Sequence, residues 1–287
     1  MTVEPEVIGF FDPATHTISY VVSDPATGHC AVIDSVLTLD YPAGRITTAQ
    51  ADRLVDHIRA RGLHLDWIIE THVHADHLSA APHLKKHLGG SVGIGENITV
   101  VQETFGELFA EDNRFCRDGT QFDRLFSDGD TYVIGTLRGF AMETPGHTPA
   151  CMVHVIGNAA FVGDTLFMPD GGSARADFPG GDAGQLFDSI QKVLALPGEM
   201  RLFMCHDYAP GGREIRWQST VAEEKAHNIH VGGGITRDEF VRLRTARDAQ
   251  LAVPELIIPS LQVNMRAGEV PMDGAGNLML KVPINKL

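Results

Sequence analysis

Basic residues are in short supply in this chain of 287 residues, where 23 Lys and Arg stand against 37 Asp and Glu for a formal net charge of −14. Such a balance argues against long-range attraction to DNA, RNA or an anionic membrane, and so against nucleases. An anionic substrate would have to be steered by Arg or Lys inside a pocket, helped by any bound cation. Cysteine is scarce too. Cys30, Cys116, Cys151 and Cys205 are widely spaced and form no CxxC pair, which reads as buried free thiols in a reducing compartment rather than a disulfide framework. No stretch approaches the roughly 18 uninterrupted apolar residues that a membrane helix needs. The N-terminal MTVEPEVIGF has Glu4 and Glu6 but no basic or long apolar region, so neither a signal nor a transit peptide is expected and a cytoplasmic location is. Internal repeats, low-complexity tracts and a clear linker are also lacking.

What remains is a chain long enough for one large domain with a real core. Thr17 to Val22, the break Asp24-Pro25-Ala26-Thr27-Gly28, and Cys30 to Ile33 predict a β-hairpin. A helix is expected next, capped by Thr47 with Gln50 as its box partner, with Ala51, Leu54, Val55 and Ile58 on its apolar face and Gly62 ending it. Trp67 to Thr71 reads as a buried strand, and Ala81, Leu84 and Leu88 keep helical spacing up to Gly89-Gly90. Strands follow at Tyr132 to Ile134, Phe140 to Glu143, Met152 to Ile156 and Ala160 to Val162, a helix over Gln185 to Leu196, and a short strand over Arg201 to Met204. Thr220 with Glu223 and Thr236 with Glu239 read as two more capping boxes. From Val253 on, scattered prolines suggest an extended tail packed on the body or on a second subunit. The alternation of strands and helices is that of an α/β protein.

Residues 71 to 77 read THVHADH, putting His72, His74, Asp76 and His77 within six positions at the end of an apolar run. Along an extended chain His72 and His74 project to one side, with Asp76 and His77 at the following turn. Crowding four such groups gains nothing on a solvated surface, whereas a transition metal needs several imidazole nitrogens or carboxylate oxygens at roughly 2.0 to 2.2 Å. Three further candidates sit where strands become loops: His147 in TPGHTP, Asp164 in FVGDT and His206 in FMCHDY. The remaining histidines, among them His83, His87 and His154, are assigned to surface or packing.

The HxHxDH cassette followed by TPGHT, GD and a late strand-end His resembles the metallo-β-lactamase superfamily. That likeness implies a four-layer αββα sandwich with the metal site along one edge of two sheets. Further segments resemble the persulfide dioxygenases, relatives of glyoxalase II: TPGHTPAC at 144 to 151, FVGDTLF at 161 to 167, ARADF at 174 to 178 and CHDY at 205 to 208. The similarity covers roughly residues 15 to 230, and the reading divides the chain into a catalytic domain, 1–231, and a C-terminal helix with extended tail, 232–287, packed on it.

The resemblance implies one Fe(II) per chain held by His72, His147 and Asp164, a set that leaves positions open for substrate and oxygen. His74, Asp76, His77 and His206 would form a second-metal pocket, empty but orienting the first. The implied reaction oxidises glutathione persulfide with O2 to sulfite and glutathione. By the same likeness Tyr208 would hydrogen-bond the reacting sulfur, Asp76 and His206 would be further catalytic residues, and Arg175 would either fix a glutathione carboxylate or pair with Asp177. Ala150, Ala174, Ala176 and Cys205 depart from the pattern without removing a ligand. The competing reading is a two-zinc thioester hydrolase of the glyoxalase II kind, with Asp164 bridging the metals. A β-lactamase and a closed, non-catalytic metal sensor fit less well. Neither nucleic acid nor membrane is expected as a partner, and a homodimer is possible.

Overall fold

Two runs of short β-branched and apolar segments build two six-stranded sheets in a computed structural model that describes residues 4–286. Residues 1–3 and 287, the outermost parts of the two segments and of the N-terminal reading, lie outside the described residues. The first sheet is ordered Glu6–Asp12, Thr17–Ser23, His29–Ile33, His64–Ile69, Ser91–Gly95, Arg124–Phe126. It opens antiparallel and turns parallel from His29–Ile33 onward. The second runs Thr131–Ile134, Leu137–Glu143, Met152–Ile156, Ala159–Phe161, Arg201–Phe203, Gln218–Thr220. Its one parallel pair, Ala159–Phe161 with Arg201–Phe203, is joined through the helix Ala183–Leu194.

Three apolar layers separate four structural ones. Between the sheets lie Ile18, Tyr20, Ile33, Ile69, Phe126, Ile134, Met152, Phe161 and Phe203. Outside the first sheet, its strands bury Val32 and Ile68 against Leu54 and Ile58 of Ala49–Ala60, Leu84 of Ala81–Leu88 and Phe105 of Ile98–Leu108. Beyond the second sheet, Val155 and Leu202 pack on Leu186 and Ile190 of Ala183–Leu194 and on Phe240 of Arg237–Asp248. This is the expected αββα sandwich.

Several local expectations need correction. The box expected of Thr47 and Gln50 does not form. Thr48 stands at the N-terminus of Ala49–Ala60, its hydroxyl donates to Asp52 at 2.8 Å, and Gln50 donates to Asp12 at 3.0 Å. The strand expected to reach Thr71 ends at Ile69, because the Thr71 carbonyl crosses to accept from Met152 N of the other sheet at 2.9 Å. Thr220 caps Glu223 N, but the Glu223 carboxylate accepts from Ser219 and closes no box; Thr236 and Glu239 do. The tail is not simply extended, since Ile257–Asn264 is a helix burying Ile257 and Leu261 on the outer core. Pro259 disguises it in the sequence. At the third helical position a proline lacks only an N–H that has no intrahelical acceptor. Cys116 is exposed, while Cys30, Cys151 and Cys205 are buried; all four are free.

Candidate metal centre

The predicted ligands leave their strands at one edge of the sandwich. His72, His74, Asp76 and His77 follow His64–Ile69, Asp164 follows Ala159–Phe161, His206 follows Arg201–Phe203, and His147 lies four residues past Leu137–Glu143. Rather than turning straight into a helix, the cassette first pairs Leu78–Ser79 with Val36 and Leu37 in a small third sheet, which pins its exit.

Two glycines let the ligand strands approach. Gly163, at φ +49, would put a Cβ 2.6 Å from Thr71 Oγ1; Gly146, at φ +137, would put one 2.4 Å from Leu186 Cα. A side chain at either position would displace the neighbouring candidate ligand, Asp164 or His147.

The seven side chains converge. His72, His147 and Asp164 bring their ligand atoms within 4.8 Å of one another, as do His74, Asp76 and His77. Asp164 Oδ2 lies 3.9 Å from His72 Nε2 and 3.5 Å from His147 Nε2, while its Oδ1 lies 3.5 Å from His206 Nε2. Asp76 Oδ2 is 3.3 Å from His206 Nε2. Asp164 thus turns one oxygen toward each half of the centre.

The far nitrogen of each ring fixes which nitrogen faces inward. Asp34 accepts from Thr71 N at 2.8 Å, from the Thr71 hydroxyl at 2.9 Å and from His74 Nε2 at 3.0 Å. Since the Thr71 hydroxyl spends its proton on Asp34, it accepts from His72 Nδ1 at 3.0 Å. His147 Nδ1 donates to the Arg175 carbonyl at 2.8 Å. In the second half, Thr15 donates to Asp12, so the Thr17 hydroxyl donates to Thr15 and is left to accept from His77 Nδ1 at 3.3 Å and His206 Nδ1 at 3.4 Å. Every ring is therefore presented by its other nitrogen, the arrangement of metal-bound imidazoles.

His72 Nε2, His74 Nδ1, His77 Nε2, His206 Nε2, Asp76 Oδ2 and Asp164 Oδ1 are buried with no hydrogen-bond partner. Leaving six polar atoms so placed is costly unless a cation satisfies them. The donor set, imidazole and carboxylate, suits Fe, Zn or Mn. The residues fit a metal centre.

The electrostatics differ between the rings. Burial first, then the neighbouring imidazoles, depress His72 well below the usual imidazole range and keep it neutral. His74 is held up at about 9, where Asp34 and Glu70 outweigh burial. Burial lifts Glu70 to about 8. Asp34 carries a left-handed backbone, φ +51, unusual for a residue with a Cβ.

Asp34, Thr71, Thr17 and Glu70 were not expected as site residues. The one available sequence signal was an acid ending each of two apolar runs, CAVID and WIIE. Asn264 gave none: it reaches the cassette from 187 residues away.

A cavity of about 380 Å³ opens on the centre, walled by Phe167, Phe178, Leu251 and Pro254 and bordered by Tyr208 and three arginines. The Tyr208 ring stacks on His206, centroids 5.8 Å apart. Partial burial, then the Asp164 and Asp76 carboxylates, push its phenol above the ordinary range, so it remains a hydroxyl. Arg175 has its fork occupied by Asp177 at 2.6 and 2.8 Å and by the Ala252 carbonyl at 2.7 Å. Arg244 is paired with buried Asp248. Arg247 has no carboxylate within ion-pair distance among the described residues.

Comparison with known proteins bears on this geometry. The model of the metallo-beta-lactamase superfamily matches residues 13–206. A probable metallo-hydrolase of Burkholderia pseudomallei is 55% identical, covering 100% of each chain. A beta-lactamase hydrolase-like protein of Agrobacterium fabrum is 50% identical over 99% of this chain, which spans 65% of that protein's length. The mitochondrial persulfide dioxygenase of Homo sapiens is 30% identical, covering 90% of this chain and 87% of that one. Among solved structures, ETHE1 from Myxococcus xanthus superposes with a TM-score of 0.73 at 29% identity, covering 92% of this chain and 100% of that one.

Proposed function

This chain belongs to the metallo-beta-lactamase superfamily, and from that premise we propose that it is a non-heme-iron persulfide dioxygenase. The reaction is glutathione persulfide plus O2 and water giving glutathione and sulfite with release of two protons. The outer sulfur loses four electrons and O2 takes them up. The observation that carries the reading is the group His72 Nε2, His147 Nε2 and Asp164, two imidazoles and one carboxylate with an open cavity beyond them. The likeness to persulfide dioxygenases at 30% identity supports it.

A ferrous ion held by these three would supply the electron transfer that O2 reduction requires and zinc cannot give. The chain's own residues do the rest. Thr71, Asp34 and the Arg175 carbonyl hold the two rings at fixed angles. In this reading the Tyr208 hydroxyl, at the border of the cavity, donates to the reacting sulfur. Phe167, Phe178, Leu251 and Pro254 shed water from the persulfide. Arg175, engaged by Asp177, shapes the wall, which leaves Arg247 to meet a substrate carboxylate. Asp76 and His206 border the sulfur from the second half of the centre.

A two-metal thioester hydrolase is the second reading. It is favoured by the intact second pocket, with Asp164 turned to both halves and Thr17 orienting His77 and His206, and by the hydrolase description of the 55% identical relative. Iron analysis of two variants separates them. Under the dioxygenase reading His147→Ala abolishes iron binding and His206→Ala leaves it largely intact. Full iron in H147A would defeat the ligand assignment, and equal loss in both would favour a shared two-metal centre.

A further inference from the structure

The helix Ile257–Asn264 lies beyond the residues that the family model matches, yet its last side chain reaches into the metal loop. Asn264 is buried. Its Oδ1 accepts from Ser79 N at 2.8 Å, and its Nδ2 donates to the carbonyls of His74 at 2.9 Å and His77 at 2.7 Å. Both amide protons and one acceptor site are thereby committed to a single loop, the one that carries His74, Asp76 and His77. The following turn closes on the same segment. Gly268, at φ +89, would place a Cβ 2.5 Å from Pro82 Cδ and 3.0 Å from the Ser79 carbonyl. From the other side, the Ser79 hydroxyl donates to Glu70 at 2.6 Å, and Glu70 lies against the His74 ring.

We infer that Asn264 is a positioning residue of the metal centre. By gripping two carbonyls and an amide it sets the curvature of residues 74–79, so that His74 Nδ1 and His77 Nε2 point at the same volume. The reason for an amide is chemical. Aspartate has the same size and keeps the acceptor, but it would face two carbonyl oxygens with a third oxygen where two N–H groups now stand. Leucine would leave three buried backbone groups unpaired. The inference does not depend on which metal is bound, but it rests on the second half of the centre, His74 with Asp76 and His77, taking an ion of its own, as in the two-metal reading; a wild type that binds only one Co2+ per chain overturns it.

The test uses the full chain with Co2+ alone as probe, reading affinity by chelator competition and geometry by visible absorption. N264D and N264S are compared with Q262A, a control in the same helix. Gln262 ties down the tail through Lys281 N at 2.8 Å and Lys281 O at 2.9 Å, without touching the cassette. We expect N264D to weaken binding of the second Co2+ by roughly 10–100-fold and to shift the absorption bands. N264S should do so less, and Q262A should lower Tm with both readouts unchanged. Unchanged affinity and spectrum in N264D and N264S overturn the inference. So does an equal loss of Co2+ in Q262A at the same fall in Tm, which would make the effect one of general stability. If N264D fails to fold, N264S decides by the same criteria.

Discussion

A hydroxyl can donate only one proton, and that single fact orders the centre. Thr71 gives its proton to Asp34 and Thr17 gives its own to Thr15, so the imidazoles beside them must donate and show a bare nitrogen inward. The same reasoning reaches His230, whose Nδ1 accepts from Ser173 N at 2.9 Å in the wall of the cavity. Burial, then the Arg244 and Arg247 guanidinium groups, depress His230 to about 4. Its folded value lies below the unfolded one of about 6.5, so its contribution to stability is complete above that pH and is lost as pH falls toward 4. Denaturant titrations over this window should show the wild type losing roughly 2 kcal/mol that H230N, with an uncharged acceptor, retains. Parallel profiles for the two proteins would contradict this role.

At the level of elements, the centre depends on helices that carry no ligand. Arg237–Asp248 is fastened to the cavity wall by Arg244, which donates to Asp248 at 2.6 and 2.8 Å and to the Ser173 carbonyl at 3.0 Å; Asp248 in turn accepts from Ala176 N at 3.0 Å. Between Ser173 and Ala176 lies Arg175, whose carbonyl orients His147. Asp248→Ala strands a buried guanidinium and an amide and should cost about 3–5 kcal/mol in urea unfolding, with weaker metal retention. A loss below about 1 kcal/mol would show the pair to be incidental. Such support was only partly legible in the sequence. The cassette, His147, Asp164 and His206 announce themselves because each is a ligand-type residue at the end of an apolar run. Helix Ile98–Leu108 passed unnoticed, Ile257–Asn264 was hidden by Pro259, and Asn264 meets His77 only through the tertiary fold. Periodicity reports which face is buried, not what a lone amide at a helix end will touch.

Across the whole molecule, two sheets bring four strand ends to one edge, and their outer helices tie down the loops that leave it. A net charge of −14 surrounds a cavity whose one unpaired arginine is Arg247 among the described residues. A bound cation would complete the local reversal of charge that an anionic substrate needs. The sandwich itself was legible from the order of motifs; the split of work between the two halves of the centre was not, because the same seven side chains serve one metal or two. Oxygen consumption decides between them most directly. Protein produced without added zinc and loaded with about one iron per chain should take up about one O2 per glutathione persulfide and yield sulfite. No oxygen uptake, together with thioester hydrolysis by the same chain carrying two zinc ions, would contradict the account.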